Sequence, residues 1–348
     1  MIDFRYHIVS IVAVFLALAV GIVLGSTELQ GATYSILNHT SKVVKNEYDA
    51  AQAKNALLNQ QVNGDEAFAK AAEARLLDGL LDGQRVVLVT APGAPGQVTN
   101  GVAAALQQAG AAVTGQISLQ PQLFDPSENT QQELSSLVAT LATPGAGTSG
   151  TALQQASQLL GSAILSKTSP ADTSGGRQPS DGEAVLSSYA QAGLLSISGH
   201  PENPATLTVV ITPASPPSNG SSGPANQGLI TLAQGLDTAG LGTVVAGSTS
   251  GSVSGSAITA LRSSSASEQI STVDDADTLI GQIVTVQALA QELTSHKTGA
   301  YGTGPGNTAA APSPAPTPSP TGTPTNQVTT STQVHKGPAT TKTTKGHT

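Results

Sequence analysis

Residues 8–24 form an unbroken apolar run in which Ser10 is the one polar side chain. Wound as a helix at about 1.5 Å per residue, 17 residues reach roughly 26 Å, the short end of a bilayer core. The run has no polar face, unlike a helix buried in a soluble core. Two readings remain. "ALA" at 17–19 fits a signal-peptide cleavage pattern. Apolar residues continue past it, however, and Ile8, Leu16 and Leu24 mark a span that reads as a retained anchor over residues 1–26. Arg5 before the run and Glu28 after it orient the N-terminus to the cytoplasm and the bulk of the chain outside. A single run of this kind encloses no helical pore alone.

The period then changes. Over 27–83 the pattern is helical, and Tyr34, Leu37, Ser41, Val44, Tyr48, Ala51, Asn55, Leu58 and Val62 follow 3-4 spacing, a heptad seam. A plain amphipathic helix lying on its own domain fits this spacing. So does a coiled-coil stalk, in which a second parallel copy covers Leu37, Val44, Tyr48, Leu58 and Val62 and Asn55 sets the register. "NGDEAF" predicts an interruption at Gly64 with Asp65 capping a further helix, 66–81.

From residue 84 to 298 apolar strands alternate with helical stretches. Strands are expected at 85–90, 113–119, 194–197, 207–212 and 243–246. Helices are expected at 97–109, 130–141, 152–165, 183–192, 228–238, 258–262 and 276–293. This order predicts an α/β domain, a largely parallel Rossmann-like sheet with helices on both faces. After residue 299 the chain turns rich in Pro, Thr, Ser and Gly and later carries lysines without acids. That composition predicts a disordered basic tail over 299–348.

Composition narrows the chemistry. Net charge is −8 over 348 residues, and residues 84–298 hold 5 basic against 13 acidic side chains, so no basic footprint for nucleic acid exists. Aromatics are 3% and Trp is absent, which leaves Ala, Val, Leu and Ile to build the core. There is no Cys, and the one Met is Met1, so the soft ligands favoured by Cu(I) are missing from 84–298. The alternating ten-residue segments of a lipid-facing barrel are missing too.

Catalytic motifs do not appear. "APGAPG" at 91–96 sits where α/β sheets bind ligands, but matches neither GxGxxG nor GxxxxGK[ST] and reads as a turn into a helix. No two histidines have metal-ligand spacing, His200 lies in the turn-like "SGHPENP", and no G-x-S-x-G elbow occurs. The chain is read as a non-enzyme with no evident cofactor. Its one dense acidic cluster, Asp274, Asp275 and Asp277 in "STVDDADT", stands before the last helix. The cluster is expected to cap that helix; a hard cation is the other use of three carboxylates.

Three stretches together carry a family resemblance: "MIDFRYHIVSIVAVFLALAVGIVLGS", "ISTVDDADTLIGQIVTVQALAQEL" and "YGTGPG" at 301–306. They resemble the actinobacterial copper transport outer-membrane proteins of the MctB type, over about residues 1–306. The resemblance implies an envelope protein of copper efflux and homeostasis, with copper as cargo and an outer-membrane location. Some relatives are instead implicated in controlling cell-wall hydrolysis during division, together with a membrane partner. The second function class is therefore a dimeric envelope scaffold, working with a second envelope or membrane protein; a hydrolase-like α/β domain is the third.

Overall fold

The computed structural model describes residues 4–141, 150–168, 179–214, 223–318 and 346; of the side chains at 26–38, 40, 179 and 180 nothing is said below. The chain divides into two units, Met1–Glu73 and Ala74–Thr348.

The first unit is one helix. Helix α1, Phe4–Leu77, runs for 74 residues and enters the second unit only in its last turn. The expected break at Gly64 does not occur. A glycine inside a helix costs only about 1 kcal/mol relative to alanine. The Ala-, Leu-, Gln- and Lys-rich sequence on both sides outweighs that, so Asp65 caps nothing. The helix also stops earlier than expected, and residues 78–83 form turns.

The second unit is built on a seven-stranded sheet in the order β3-β2-β1-β4-β5-β6-β7. Strand β1 (Arg85–Thr90) pairs in parallel with β2 (Ala112–Leu119) on one side and β4 (Leu207–Ile211) on the other. β5 (Gly242–Ala246), β6 (Ser271–Val273) and β7 (Ala300–Tyr301) extend the parallel set. Strand β3 (Leu195–Gly199) is the exception, antiparallel to β2 at the edge. Central strands β4 and β5 are buried at every position, which suits their Val-rich sequences, in which Thr208 and Thr243 are the polar members. On β3 only Leu195 is buried, as suits an edge.

Helices cover both faces. α2 (Gly96–Gln108) packs with α8 (Leu279–Ser295) on one side. On the other lie α3 (Glu128–Leu141), α4 (Ala152–Ile164), α5 (Pro179–Gln191), α6 (Gly223–Ala239) and α7 (Ala257–Arg262). Their core runs from Val87, Val89 and Ile117 of the sheet to Leu160, Ile164, Leu186 and Leu236 of the helices. Helix α4 begins at a capping box in which Thr151 and Gln154 satisfy each other's backbone N–H groups. Tyr189, fully buried, donates its hydroxyl to Ala156 O at 2.8 Å and ties α5 to α4.

Order does not end at residue 298. Strand β7 lies beyond it, and the chain is described to Pro318. The rest of the predicted tail, apart from Gly346, lies outside the described residues, as does the lysine-bearing part.

Candidate functional site

Strand order reverses beside β1: the chain moves one way from β1 to β2 and the other way from β4 to β5. Loops leaving the carboxyl ends of β1 and β4 therefore diverge, and a crevice opens there, where open α/β sheets bind ligands. On the β4 side is a cavity of about 520 Å³ lined by Ala91, Pro92, Phe124, Pro213, Leu229 and Ala257 among others. Asn226 is the one polar side chain in that lining among the described residues, and its Nδ2 is committed to Gly255 O at 2.9 Å. On the β2 side is a second cavity of about 470 Å³, with Thr90, Asn100, Gln116, Ser118 and Gln120 in its wall. The loop at 91–96 divides the two. Gly93 turns it with φ of 80°, a conformation that suits glycine, and Pro95 enters α2 without a side-chain cap.

The acidic cluster lies at the carboxyl end of β6, and its three carboxylates do different things. Asp274 forms a buried ion pair: Arg262 Nη1 donates to its Oδ2 at 2.6 Å, with the two side chains 3% and 1% exposed. Asp274 also accepts the backbone N–H groups of Thr303 at 2.8 Å and Gly304 at 2.9 Å. Arg262 reaches Thr272 Oγ1 through Nε, Tyr301 O through Nη2 and Pro305 O through Nη1. "STVDDADT" and "YGTGPG", two of the stretches that carry the resemblance, thus fold onto one another. Gly302, at φ of 113°, leaves no room for a Cβ against Asp274. Asp277 Oδ1 accepts from the N–H and hydroxyl of Thr249 and pins the loop after β5. Asp275 Oδ1 is buried without a hydrogen-bond partner among the described residues, and burial together with the neighbouring Asp274 pushes its pKa up to about 6.

None of the three aspartates caps the last helix. Thr278 does, accepting Gly281 N–H at 3.0 Å, because the helix begins three residues later than expected, at Leu279. Among the described residues no group of three His, Cys, Asp or Glu side chains is arranged to hold a metal ion.

At the opposite end of the sheet Glu292 is buried, yet both of its oxygens are used. One accepts Thr243 N–H and the other Ser271 N–H, each at 2.8 Å, joining α8 to the starts of β5 and β6. Burial lifts its pKa to about 8 against the pull of those donors. Burial also lifts Asp237 to about 6, which Lys167 opposes. His200 is exposed, with Nδ1 at 2.9 Å from Glu202 Oε1. His296 closes α8 in the left-handed conformation.

On α1, Ile8, Leu16 and Leu24 are exposed along a segment, Phe4–Gly25, whose 22 residues are long and apolar enough to cross a membrane. Val44, Tyr48, Asn55, Leu58 and Val62 are exposed further on, and the side chain of Leu37 lies outside those described. Tyr48 accepts a hydrogen bond from Gln52 at 2.8 Å. Sequence reasoning passed over Arg262 and the crevice side chains Phe124, Asn226 and Gln116. Arg262 stood only as the end of a short helix, and no spacing rule links residues so far apart in the chain.

Comparison with known sequences adds the decisive observation. A family described as "Copper transport outer membrane protein, MctB" matches residues 1–312. The chain belongs to this family. Among curated MctB proteins, the "Copper transporter MctB" of Mycobacterium tuberculosis is 31% identical over 315 residues, 88% of this chain and 98% of its own length. The Mycobacterium bovis protein of that name has the same identity and coverage. That of Mycobacterium leprae is 31% identical over 325 residues, 89% of this chain and 98% of its own. The MctB match takes in the apolar run, the whole sheet and the clamp around Arg262. The family's description is one of transport rather than of an enzyme.

Proposed function

We propose that this chain serves copper transport and homeostasis as a membrane-associated component of the cell envelope. The observation that supports the reading is similarity over residues 1–312 to a copper transport family, with relatives that bear the name copper transporter matched over 98% of their length. Phe4–Gly25 is the anchor in this reading, with the N-terminus cytoplasmic and the α/β unit extracytoplasmic, because Arg5 precedes the span and Glu28 follows it. Thiolates are absent from the sequence and the one thioether is Met1, so a relay of soft side chains is not how the α/β unit serves copper. Its part is structural, with the ion carried by a partner. The test is copper content and copper tolerance in cells that lack the gene. The full chain is expected to restore both, and a chain deleted for residues 4–25 is not. Unchanged copper content in the deletion strain overturns the reading.

A second reading is favoured by α1. Its exposed Val43, Val44, Leu57, Leu58 and Val62 need a cover, and a second parallel copy supplies one. The pair then acts as an envelope scaffold, presenting two α/β units to a further envelope or membrane protein, including one that controls cell-wall hydrolysis. A cell-separation defect in the deletion strain with normal copper content selects this reading over the first.

A further inference from the structure

The crevice at the carboxyl ends of β1, β2 and β4 has a composition that neither reading above uses. Its two compartments share Ala91, Pro92, Gly93 and Pro121, so they are neighbours across a single turn. At about 520 and 470 Å³ each falls within the roughly 300–1,000 Å³ of ordinary ligand sites. Together they lie at the position where the strand order reverses.

Chemistry divides the crevice sharply. The β4-side compartment is hydrocarbon: Phe124, Leu229, Ala257 and prolines from the segments after β1, β2 and β4, with the Asn226 amide nitrogen already bound to Gly255 O. The β2-side compartment is amide and hydroxyl. Thr90 Oγ1 donates to Ser118 Oγ at 3.1 Å, and Gln116 Nε2 donates to the same oxygen at 3.1 Å. Asn100 and Gln120 stand in the wall beside them. Gly96, at the uncapped start of α2, adds backbone N–H groups that favour an acceptor oxygen.

Among the described residues, charge is missing from both compartments: no Lys, Arg, His, Asp or Glu lines either one, in a chain whose net charge is −8. A phosphate or carboxylate finds no cation here and an ammonium finds no anion. Uncharged hydroxyls, which both donate and accept, match amides and hydroxyls that also do both. The apolar compartment next door favours a hydrocarbon group attached to them.

We propose that this crevice is a binding site for a neutral amphiphile: a hydroxyl-rich, uncharged head of sugar type in the β2-side compartment and an alkyl chain in the β4-side compartment, running past Gly93. The test uses hexyl β-glucoside, with methyl glucoside, 1-hexanol and hexyl phosphate as controls. The chain contains no Trp, so Phe124→Trp supplies a single fluorescent reporter inside the apolar compartment. Full-length protein carrying it is held in lipid nanodiscs, and its fold is checked by circular dichroism.

Hexyl glucoside is expected to shift the Trp emission saturably, at least tenfold more tightly than each control. Ala225→Phe, which narrows the compartment from an exposed position on α6, is expected to weaken the hexyl glucoside response at least tenfold. Asn100→Ala combined with Gln120→Ala is expected to weaken hexyl glucoside several-fold and leave 1-hexanol unchanged. The proposal is overturned by a folded reporter protein that gives no saturable shift. It is equally overturned if hexyl phosphate or hexanol binds as tightly as the glucoside, or if Ala225→Phe leaves the response unchanged. None of these readouts depends on copper.

Discussion

The two units handle hydrophobic side chains in opposite ways. In the α/β unit Val86, Val87, Val89, Leu160 and Ile164 are 0% exposed, each enclosed by its own unit. Along α1, Val44 is 58%, Leu57 65% and Phe68 76% exposed. The hydrophobic effect operates on both, roughly 25 cal/mol for each Å² of apolar surface removed from water. In one case the chain satisfies it alone. In the other, the readings proposed above supply the cover, a bilayer for Phe4–Gly25 and a second copy for the rest. A sheet with layered helices is a closed solution; a lone amphipathic helix is an open one.

The contrast breaks most readily at the membrane. Leu16→Asp with Val20→Asp places two carboxylates inside the apolar run, each costing about 2.5–3.5 kcal/mol at the centre of a span. The expected outcome is loss of the protein from the membrane fraction, with the α/β unit still folded by circular dichroism. Retention in that fraction means that residues 4–25 are not what holds the chain there.

Next in size is a break inside the closed unit. Asp274→Ala leaves the Arg262 guanidinium buried and unpaired, which costs about 3–5 kcal/mol. Denaturant titration of the full chain should show the cooperative transition of the α/β unit moving by that amount. A shift below 1 kcal/mol would show that the ion pair is dispensable.

The proposed pairing of α1 comes third. Val44→Glu with Leu58→Glu removes two apolar side chains, each worth about 1.5–3 kcal/mol when fully buried. Light scattering on protein in nanodiscs or amphipol is expected to find two copies for the unmodified chain and one for the variant. A single copy for the unmodified chain sinks the paired stalk.

The last test turns on pH and on Glu292. Its folded pKa of about 8 lies above its ordinary 4.5, so the folded chain binds the proton more tightly than the unfolded one. Its contribution is complete below the unfolded value and is lost as pH rises through the folded one. Asp237, Lys167, Glu268 and His296 face the same cavity, and Asp237, raised to about 6, has a slope of the same sign over a lower range. Tm should therefore fall between about pH 5 and pH 8. Glu292→Gln should flatten that slope whatever it does to the absolute Tm. A Tm that rises over the range contradicts the assignment.

What could be read in advance followed the same division between local and distant. Strand β1 was legible to the residue, and helices α2, α3, α4 and α7 to within two, because "RVVLVT" and the 3.6-residue periods are local signals. β6, three residues long, and β7, two, carry no period at all and exist because their neighbours offer a ladder. Gly64 reads locally as a stop, and the long helix around it overrides that signal. The acidic cluster stands out in the sequence, but its task does not. Thr278, four residues after Asp274, was the better cap, and the partners of Asp274 lie 12 and about 30 residues away. The crevice was legible only as "APGAPG". Its other walls come from α6, α7 and the segment after β2, which topology alone brings together.

The clamp around Arg262 sets an order of events. Tyr301, Thr303, Gly304 and Pro305 all bond to the Arg262–Asp274 pair, and the Ala300 carbonyl accepts Thr308 N–H at 2.7 Å. During synthesis the pair therefore gains all of these partners only when the chain has grown past residue 305. Composition places the end of the domain at 298, and a protease cutting there would release what looks like a dispensable tail. It would strip Arg262 of two carbonyl acceptors and Asp274 of two donors, and the sheet would lose its last strand. The low-complexity end of this protein begins with its latch.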